Sequence, residues 1–336
     1  MNSSEKPHAN ICLNNYCNYN CYYCQSGGEN HGSSEDRCLE LQDVKKILLS
    51  LDKLGVARVR FTGGEPTLLS YFGEILEYAL SLNFSKIRIA TNGYKITNHI
   101  EHLKNERVRV LLSLDTLDEE KFSSITGGGK LNTLIKAMKE LSDNQIDTRI
   151  NTVLMKSNLS ELTSIIEHCK KMNFSIKLLG LELLDCFDKK RILDEWVDID
   201  KQEKIIESIG IKSNEIMAPG NLGIPMNEYR NGDINIRVRF FDGWGAKYIE
   251  TCESCPIFPC PSGIYGIQIL ADGEISLCRF RRGFKFNFYE CKDTNEIYRK
   301  IERMLYETLE NDKIITQKKE VSFGTKKFIE IPESIC

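Results

Sequence analysis

Three cysteines, Cys17, Cys21 and Cys24, fall in the run Cys-Asn-Tyr-Asn-Cys-Tyr-Tyr-Cys, with no fourth cysteine in that loop. A four-iron cluster normally takes four protein thiolates, so three of them suggest a cubane with one iron open to a substrate or cofactor. Two other chemistries use closely spaced cysteines. A disulfide framework belongs to small chains in oxidising compartments. This chain has 336 residues, an odd 13 cysteines and a polar start without the apolar stretch of a signal peptide, which argues against disulfides. Structural zinc takes four nitrogen or sulfur ligands, usually as two separated pairs. The nearest histidine, His31, lies in a Gly/Ser-rich stretch, and zinc stays open as a second reading.

Cys252, Cys255, Cys260 and Cys278 form a second group. Between Cys260 and Cys278 the pair Asp272-Gly273 separates two alternating apolar runs, Ile267 to Leu270 and Glu274 to Leu277, as in a β-hairpin. That hairpin would hold Cys260 and Cys278 at its two ends. Thiolate spacing alone does not separate iron from zinc here. Cys291 could replace Cys252 as a ligand, or one iron could be open to substrate. Cys12, Cys38, Cys169, Cys186 and Cys336 have no partner spacing and read as packing or surface residues.

The elements that would carry these groups are legible as alternating β and α patterns. Strands are expected at Asn10 to Leu13, Arg58 to Thr62, Lys86 to Thr91, Val108 to Leu114, Thr148 to Met155 and Ser175 to Leu181. Amphipathic segments at Leu41 to Leu54, Phe72 to Leu82, Leu131 to Leu141 and Leu159 to Met172 lie between them. Parallel strands need such right-handed crossovers. Six repeats predict an α/β fold, a partial (β/α)6 TIM barrel, with chemistry at the C-terminal ends of the strands. Beyond it, Leu193 to Ile209 reads as a helix, Met217 to Pro225 as a connection and Ile234 to Phe241 as a half-buried strand. The division expected is 8–210 for the barrel and 211–336 for a smaller α+β unit.

A net charge of −3 offers no basic excess for a nucleic acid polymer. No apolar run approaches the ~20 residues of a membrane span. A soluble cytoplasmic chain is the expectation.

The Cys-x3-Cys-x2-Cys loop, with Tyr23 before its last cysteine, resembles the signature of the radical S-adenosylmethionine (SAM) superfamily. Phe61-Thr62-Gly63-Gly64-Glu65-Pro66 resembles that family's glycine-rich segment, which contacts the amino group of SAM. Thr91-Asn92-Gly93 and Ser113-Leu114-Asp115 resemble family segments at the cofactor site. Glycines there would let the backbone approach a ligand. The resemblance implies a SAM-binding 4Fe-4S cluster on Cys17, Cys21 and Cys24, with Tyr23, Gly63, Gly64, Glu65, Thr91, Asn92, Ser113, Asn151 and Met155 around SAM. For Met155 a core side chain at a strand end is the competing reading.

More narrowly, Cys17 to about Glu182 is similar to the GTP 3',8-cyclase family of molybdenum-cofactor biosynthesis, through Ser113 to Gly127 and Ile150 to Lys156. Three departures argue against GTP as the substrate. Asn10 stands where that family has an arginine, Thr67-Leu68-Leu69-Ser70 where it has a basic residue, and Ser334-Ile335-Cys336 where it ends in paired glycines. The Cys260 to Cys278 hairpin resembles auxiliary-cluster domains of the SPASM and twitch type. That resemblance implies a second 4Fe-4S cluster on Cys252, Cys255, Cys260 and Cys278, some distance across the barrel mouth.

The function implied is reductive cleavage of SAM to a 5'-deoxyadenosyl radical, which takes hydrogen from substrate in a site closed to water. An external low-potential donor of flavodoxin or ferredoxin type would supply the electron. The substrate expected is a small biosynthetic metabolite, nucleotide- or sugar-derived, with oxidation, cyclisation or bond formation as the outcome. Arg237, Arg239, Arg279, Arg281 and Arg282 could bind its anionic groups or form a solvated face. A ribosomally made peptide is the alternative substrate, disfavoured because only sixteen residues precede Cys17. A non-catalytic iron-sulfur electron carrier or a zinc-binding module is the alternative of another class.

Overall fold

The computed structural model describes residues 8–24, 35–181, 189–216, 225–239, 247–255, 258, 260, 263–264, 266–278, 285–310 and 314–316. His31, Cys186, Arg279, Arg281, Arg282, Cys336 and most of the Met217 to Pro225 connection lie outside the described residues.

Six parallel strands follow in chain order: β1 (Ala9–Cys12), β2 (Arg58–Thr62), β3 (Lys86–Thr91), β4 (Val108–Ser113), β5 (Thr148–Leu154) and β6 (Ser175–Gly180). Between them lie α1 (Leu41–Leu54), α2 (Phe72–Ser81), the short α3 (Ile100–Leu103), α4 (Glu119–Thr126), α5 (Leu131–Asp143) and α6 (Leu162–Lys171). Alternation decides which way each strand faces. Ile11, Phe61, Ile87, Ile89, Val110, Leu112, Ile150, Ile176 and Leu178 are all 0% exposed. They share one core with Val44 and Ile47 of α1, Phe72 and Ile75 of α2, Leu134 and Met138 of α5, and Ile165 of α6. Each such side chain contributes roughly 1.5–3 kcal/mol on burial. The residues between them point into the barrel.

The chain continues through α7 (Lys189–Glu195), α8 (Ile199–Ile209), β7 (Ile211–Ile216), β8 (Met226–Asn231), β9 (Ile234–Arg239), β10 (Lys247–Ile249), β11 (Ile267–Ile269), β12 (Glu274–Ser276), β13 (Lys285–Asn287), α9 (Thr294–Leu305) and β14 (Ile314–Thr316). Here the barrel sheet extends at both edges. Strand β9 pairs parallel with β6 and carries β8 and β7 antiparallel beside it. On the other edge β11 pairs parallel with β1, and β12 and β13 follow antiparallel. The result is one open sheet of twelve strands, in the order β13-β12-β11-β1-β2-β3-β4-β5-β6-β9-β8-β7. A separate antiparallel pair joins β10 to β14.

The expected hairpin turn is present: Gly273 adopts φ 86° and its N–H bonds to the Leu270 carbonyl at 2.9 Å. The single helix expected from Leu193 to Ile209 is instead two, α7 and α8. The Glu195 carbonyl accepts from the Lys156 backbone N–H at 2.9 Å, and Gln202 Nε2 donates to the Val197 carbonyl at 2.7 Å. The first, a tertiary bond, ends α7, and the second, a local one, ties the start of α8 to the connecting segment. Helix α9 buries Ile297, Ile301 and Met304, and packs on α1 through Ser50 Oγ to the Thr294 carbonyl (3.0 Å) and Lys53 Nζ to Asn295 Oδ1 (3.0 Å). Among the described residues no helix is long and apolar enough to cross a membrane.

Candidate active site

The loop leaving β1 carries Cys17, Cys21 and Cys24, all free thiols, with Cys17 and Cys24 exposed and Cys21 partly buried. Its main chain is clamped to the end of α4: Asn20 N–H bonds to the Thr126 carbonyl (2.9 Å) and Tyr22 N–H to the Ile125 carbonyl (3.1 Å). Two N–H groups already face the Cys17 sulfur, from the Tyr19 backbone at 3.4 Å and Asn92 Nδ2 at 3.6 Å. Burial pushes the Cys17 thiol up; burial and then the neighbouring Cys24 push Cys21 well up.

Two consecutive tyrosines fix the loop to the next strands. Tyr22 donates to Met155 Sδ at 2.6 Å, while the Arg191 guanidinium of α7 lies 3.9 Å from its ring centroid. Tyr23 donates to Asp115 Oδ2, and Asp115 Oδ1 accepts the Val153 N–H at 2.8 Å. Burial raises Asp115 to about 6 against those hydrogen bonds. Asn158 completes the brace, donating to the Asp115 and Val153 carbonyls, both at 2.8 Å.

Several residues read as cofactor contacts also hold the scaffold. A Cβ on Gly63 would stand 2.3 Å from the Asn14 carbonyl oxygen, and one on Gly64 would stand 2.0 Å from that of Tyr16. The glycines therefore admit the cluster loop itself. Glu65 is 1% exposed. Its Oε1 accepts from Thr67 N (3.1 Å), Thr67 Oγ1 (2.5 Å) and Thr91 Oγ1 (2.7 Å), and its Oε2 from Asn92 N (2.7 Å). The Glu65 carboxylate and the Thr91 hydroxyl are thus committed to each other. Met155 is 0% exposed and packs with Tyr22, Ile125, Leu181 and Ile192, so it is a core side chain. Asn92, Ser113 and Asn151 keep polar atoms toward the strand ends. Ser113 is exposed, and Asn151 Oδ1 is buried with no hydrogen-bond partner among the described residues.

The second cysteine group lies at the other end of the strands. Ile267 is level with Ala9 in the parallel β1/β11 register, and Ser276 is level with Gln268. Cys278 follows β12 and is thereby level with Gly266 and His8, while Cys260 precedes the start of β11. The cluster loop begins beyond Cys12. At about 3.3 Å per residue the two groups are roughly 15–20 Å apart along the strands. That replaces the expected placement across one mouth of the barrel. Cys252 and Cys260 pack around Tyr248, whose hydroxyl donates to the Cys260 carbonyl, and Cys255 N–H bonds to the Cys252 carbonyl at 2.9 Å. Cys291 instead neighbours Lys300 and Glu296 of α9. Among the described residues no three His, Cys, Asp or Glu side chains gather closely enough to hold one metal ion. The thiolates of a cubane bind different irons and need not converge on a point.

Between the two ends lies a feature of which the sequence reading named only Arg239, with its strand neighbour Arg237. Arg60 on β2, Arg88 on β3, Arg149 on β5, Lys177 on β6 and Arg239 on β9 occupy inward positions. Arg149, Lys177 and Arg239 are at most 8% exposed. Burial and then Arg60, Arg88, Arg58 and Arg239 push His8 down to about 3. The signal was present as single basic residues inside apolar strands, in Arg-Val-Arg-Phe-Thr, Lys-Ile-Arg-Ile, Thr-Arg-Ile-Asn and Ile-Lys-Leu. Tyr22, Asn158 and Arg191 were also missed as site-builders, and Asp115 was named only within its segment; their roles depend on contacts distant in sequence.

Comparison with known proteins agrees with this geometry. Residues 11–169 match the model of the Radical SAM superfamily. A GTP 3',8-cyclase of Clostridium botulinum (strain Hall) is 32% identical over 275 residues, 80% of this chain and 79% of that protein. A probable GTP 3',8-cyclase of Pyrococcus abyssi is 29% identical over 81% of this chain and 84% of its own length. The crystal structure of Streptococcus suis SuiB bound to SAM shares the fold, with TM-score 0.63 at 18% identity, covering 88% of this chain and 66% of that one. That family works with a 4Fe-4S cluster and SAM, and the donor set fits both: three accessible thiols, N–H groups at one sulfur, and an orphaned amide oxygen at Asn151. The chain belongs to the radical SAM superfamily and resembles its GTP 3',8-cyclases.

Proposed function

We propose that this chain acts on a phosphorylated small metabolite held in the barrel between two iron-sulfur centres. Cys17, Cys21 and Cys24 would hold the cluster that binds SAM, with Asn92, Ser113 and Asn151 beside it. Cys252, Cys255, Cys260 and Cys278 would hold a second 4Fe-4S cluster, within a C-terminal unit from residue 211 of SPASM or twitch type. Bound there, cluster and SAM supply the one-electron chemistry that yields a 5'-deoxyadenosyl radical. The chain's own residues do the rest: Tyr22, Tyr23 and Asp115 aim the loop, and the inward cations orient the substrate. A flavodoxin- or ferredoxin-type donor and a reducing, cytoplasmic setting belong to the same reading.

The observation that carries the substrate class is the cluster of Arg60, Arg88, Arg149, Lys177 and Arg239 inside the barrel. Cations converging on one lumen, three of them buried, would attract and hydrogen-bond an anionic guest. These strand-borne cations offset the basic partners missing at Asn10 and after Pro66, so GTP is the first probe although those departures still argue against it.

Anaerobic reconstitution tests both halves. Iron and sulfide per chain are measured first, then 5'-deoxyadenosine and methionine formed from SAM after reduction. Cys17→Ala, Cys21→Ala and Cys24→Ala should each abolish cleavage. A phosphorylated metabolite, with GTP assayed first, should raise substrate-coupled cleavage at least about tenfold over its dephosphorylated form. Equal stimulation by the dephosphorylated form, or by an uncharged peptide alone, would overturn the substrate class.

A further inference from the structure

The inward cations are not chemically alike. Arginine stays charged at any pH a protein meets, whereas a buried lysine can release its proton. Lys177 is the one lysine among them. Its strand neighbours Ile176 and Leu178 are wholly buried toward α6, which turns the Lys177 side chain into the barrel at 8% exposure. No hydrogen bond or ion pair of its amine occurs among the described residues.

The groups facing it come from β2, β3, β5 and β9. Its register partner on β5 is Asn151, with Arg149 two residues earlier. On β9 its partner is Arg237, which is ion-paired to Glu228 of β8 at 2.8 Å, with Arg239 beyond. Arg60 and Arg88 act on it from β2 and β3, and the same arginines act on His8.

We infer that Lys177 is the proton-accepting member of this cluster: its amine takes a proton from solvent when an anion enters the barrel. Resting on the anionic-substrate reading, this makes substrate capture proton-linked. Burial and then Arg149, Arg239, Arg60 and Arg88 hold the free amine well below the ordinary lysine range. A multiply charged anion reverses the local field and offers hydrogen-bond acceptors, both of which favour the ammonium form. The balance is simple: one neutral amine and one solvent proton become one ammonium, with no bond to the ligand formed or broken. Binding that takes up a proton weakens as pH rises.

The test uses reconstituted holoenzyme without oxygen, inorganic triphosphate as probe, and titration calorimetry in two buffers of different ionisation enthalpy. At about pH 8.5 the wild type should take up roughly 0.5–1 proton more than Lys177→Arg, whose charge is permanent. The triphosphate's own ionisation cancels in that difference. Wild-type affinity should fall by up to about tenfold per pH unit above neutrality, and that of Lys177→Arg should be flatter. Lys177→Met, should the arginine not fit, is expected to bind at least about tenfold more weakly and without the uptake. Tight wild-type binding with no excess uptake overturns the inference alone. Uptake that persists in Lys177→Arg assigns the proton elsewhere, His8 being next, and also overturns it. Absence of triphosphate binding by the wild type removes the anionic-substrate reading and this inference with it.

Discussion

Glu65 and His8 show how far a single side chain's role depends on its surroundings. The side chain of the glutamate after two glycines is occupied within the protein, both its oxygens accepting hydrogen bonds from Thr67, Thr91 and Asn92. His8 drew no notice in the sequence, and it is buried beside four arginines. Its folded value of about 3 lies below the ordinary 6.5, so the fold favours the neutral ring. The resulting stability is complete above about pH 6.5 and is lost as pH falls toward about 3, at up to about 1.4 kcal/mol per unit. Urea unfolding of the apo-protein at several pH values should therefore show a shallower acid loss in His8→Asn than in wild type. Parallel curves would remove His8 as the cause. The cluster cysteines were legible because their spacing is local. The inward cations were present just as plainly, on β2, β3, β5, β6 and β9, but only the curling of the sheet makes them neighbours.

At the scale of elements, β-branched runs revealed β1 to β6, since each strand's pattern is written within a few residues. What escaped was non-local. The break between α7 and α8 depends on Lys156 reaching Glu195, and the pairing of β11 with β1 depends on residues far apart in sequence. The turn after β2 lies against the cluster loop so closely that Gly64 N–H bonds to the Asn14 carbonyl at 2.7 Å and Glu65 N–H to that of Tyr16 at 2.9 Å. Gly64→Ala would push a methyl group into the Tyr16 carbonyl, because both partners are backbone and neither can swing aside. A loss of at least ~2 kcal/mol in chemical denaturation is expected, together with lower iron content after reconstitution. Unchanged stability and iron would show that the two segments can separate freely.

For the whole molecule, the extension of one sheet past both edges of the barrel puts the two cysteine groups at opposite strand ends. Damage at one end should therefore leave the other in working order. Cys260→Ala combined with Cys278→Ala is expected to retain 5'-deoxyadenosine formation while losing turnover of substrate, measured side by side on the same reconstituted sample. Loss of both activities together would mean that the two ends are one site.

The parallel pairing of β11 with β1 also makes the barrel a ruler. A guest proposed to lie between SAM at one end and the second cysteine group at the other has at most roughly 15–20 Å of strand length to bridge.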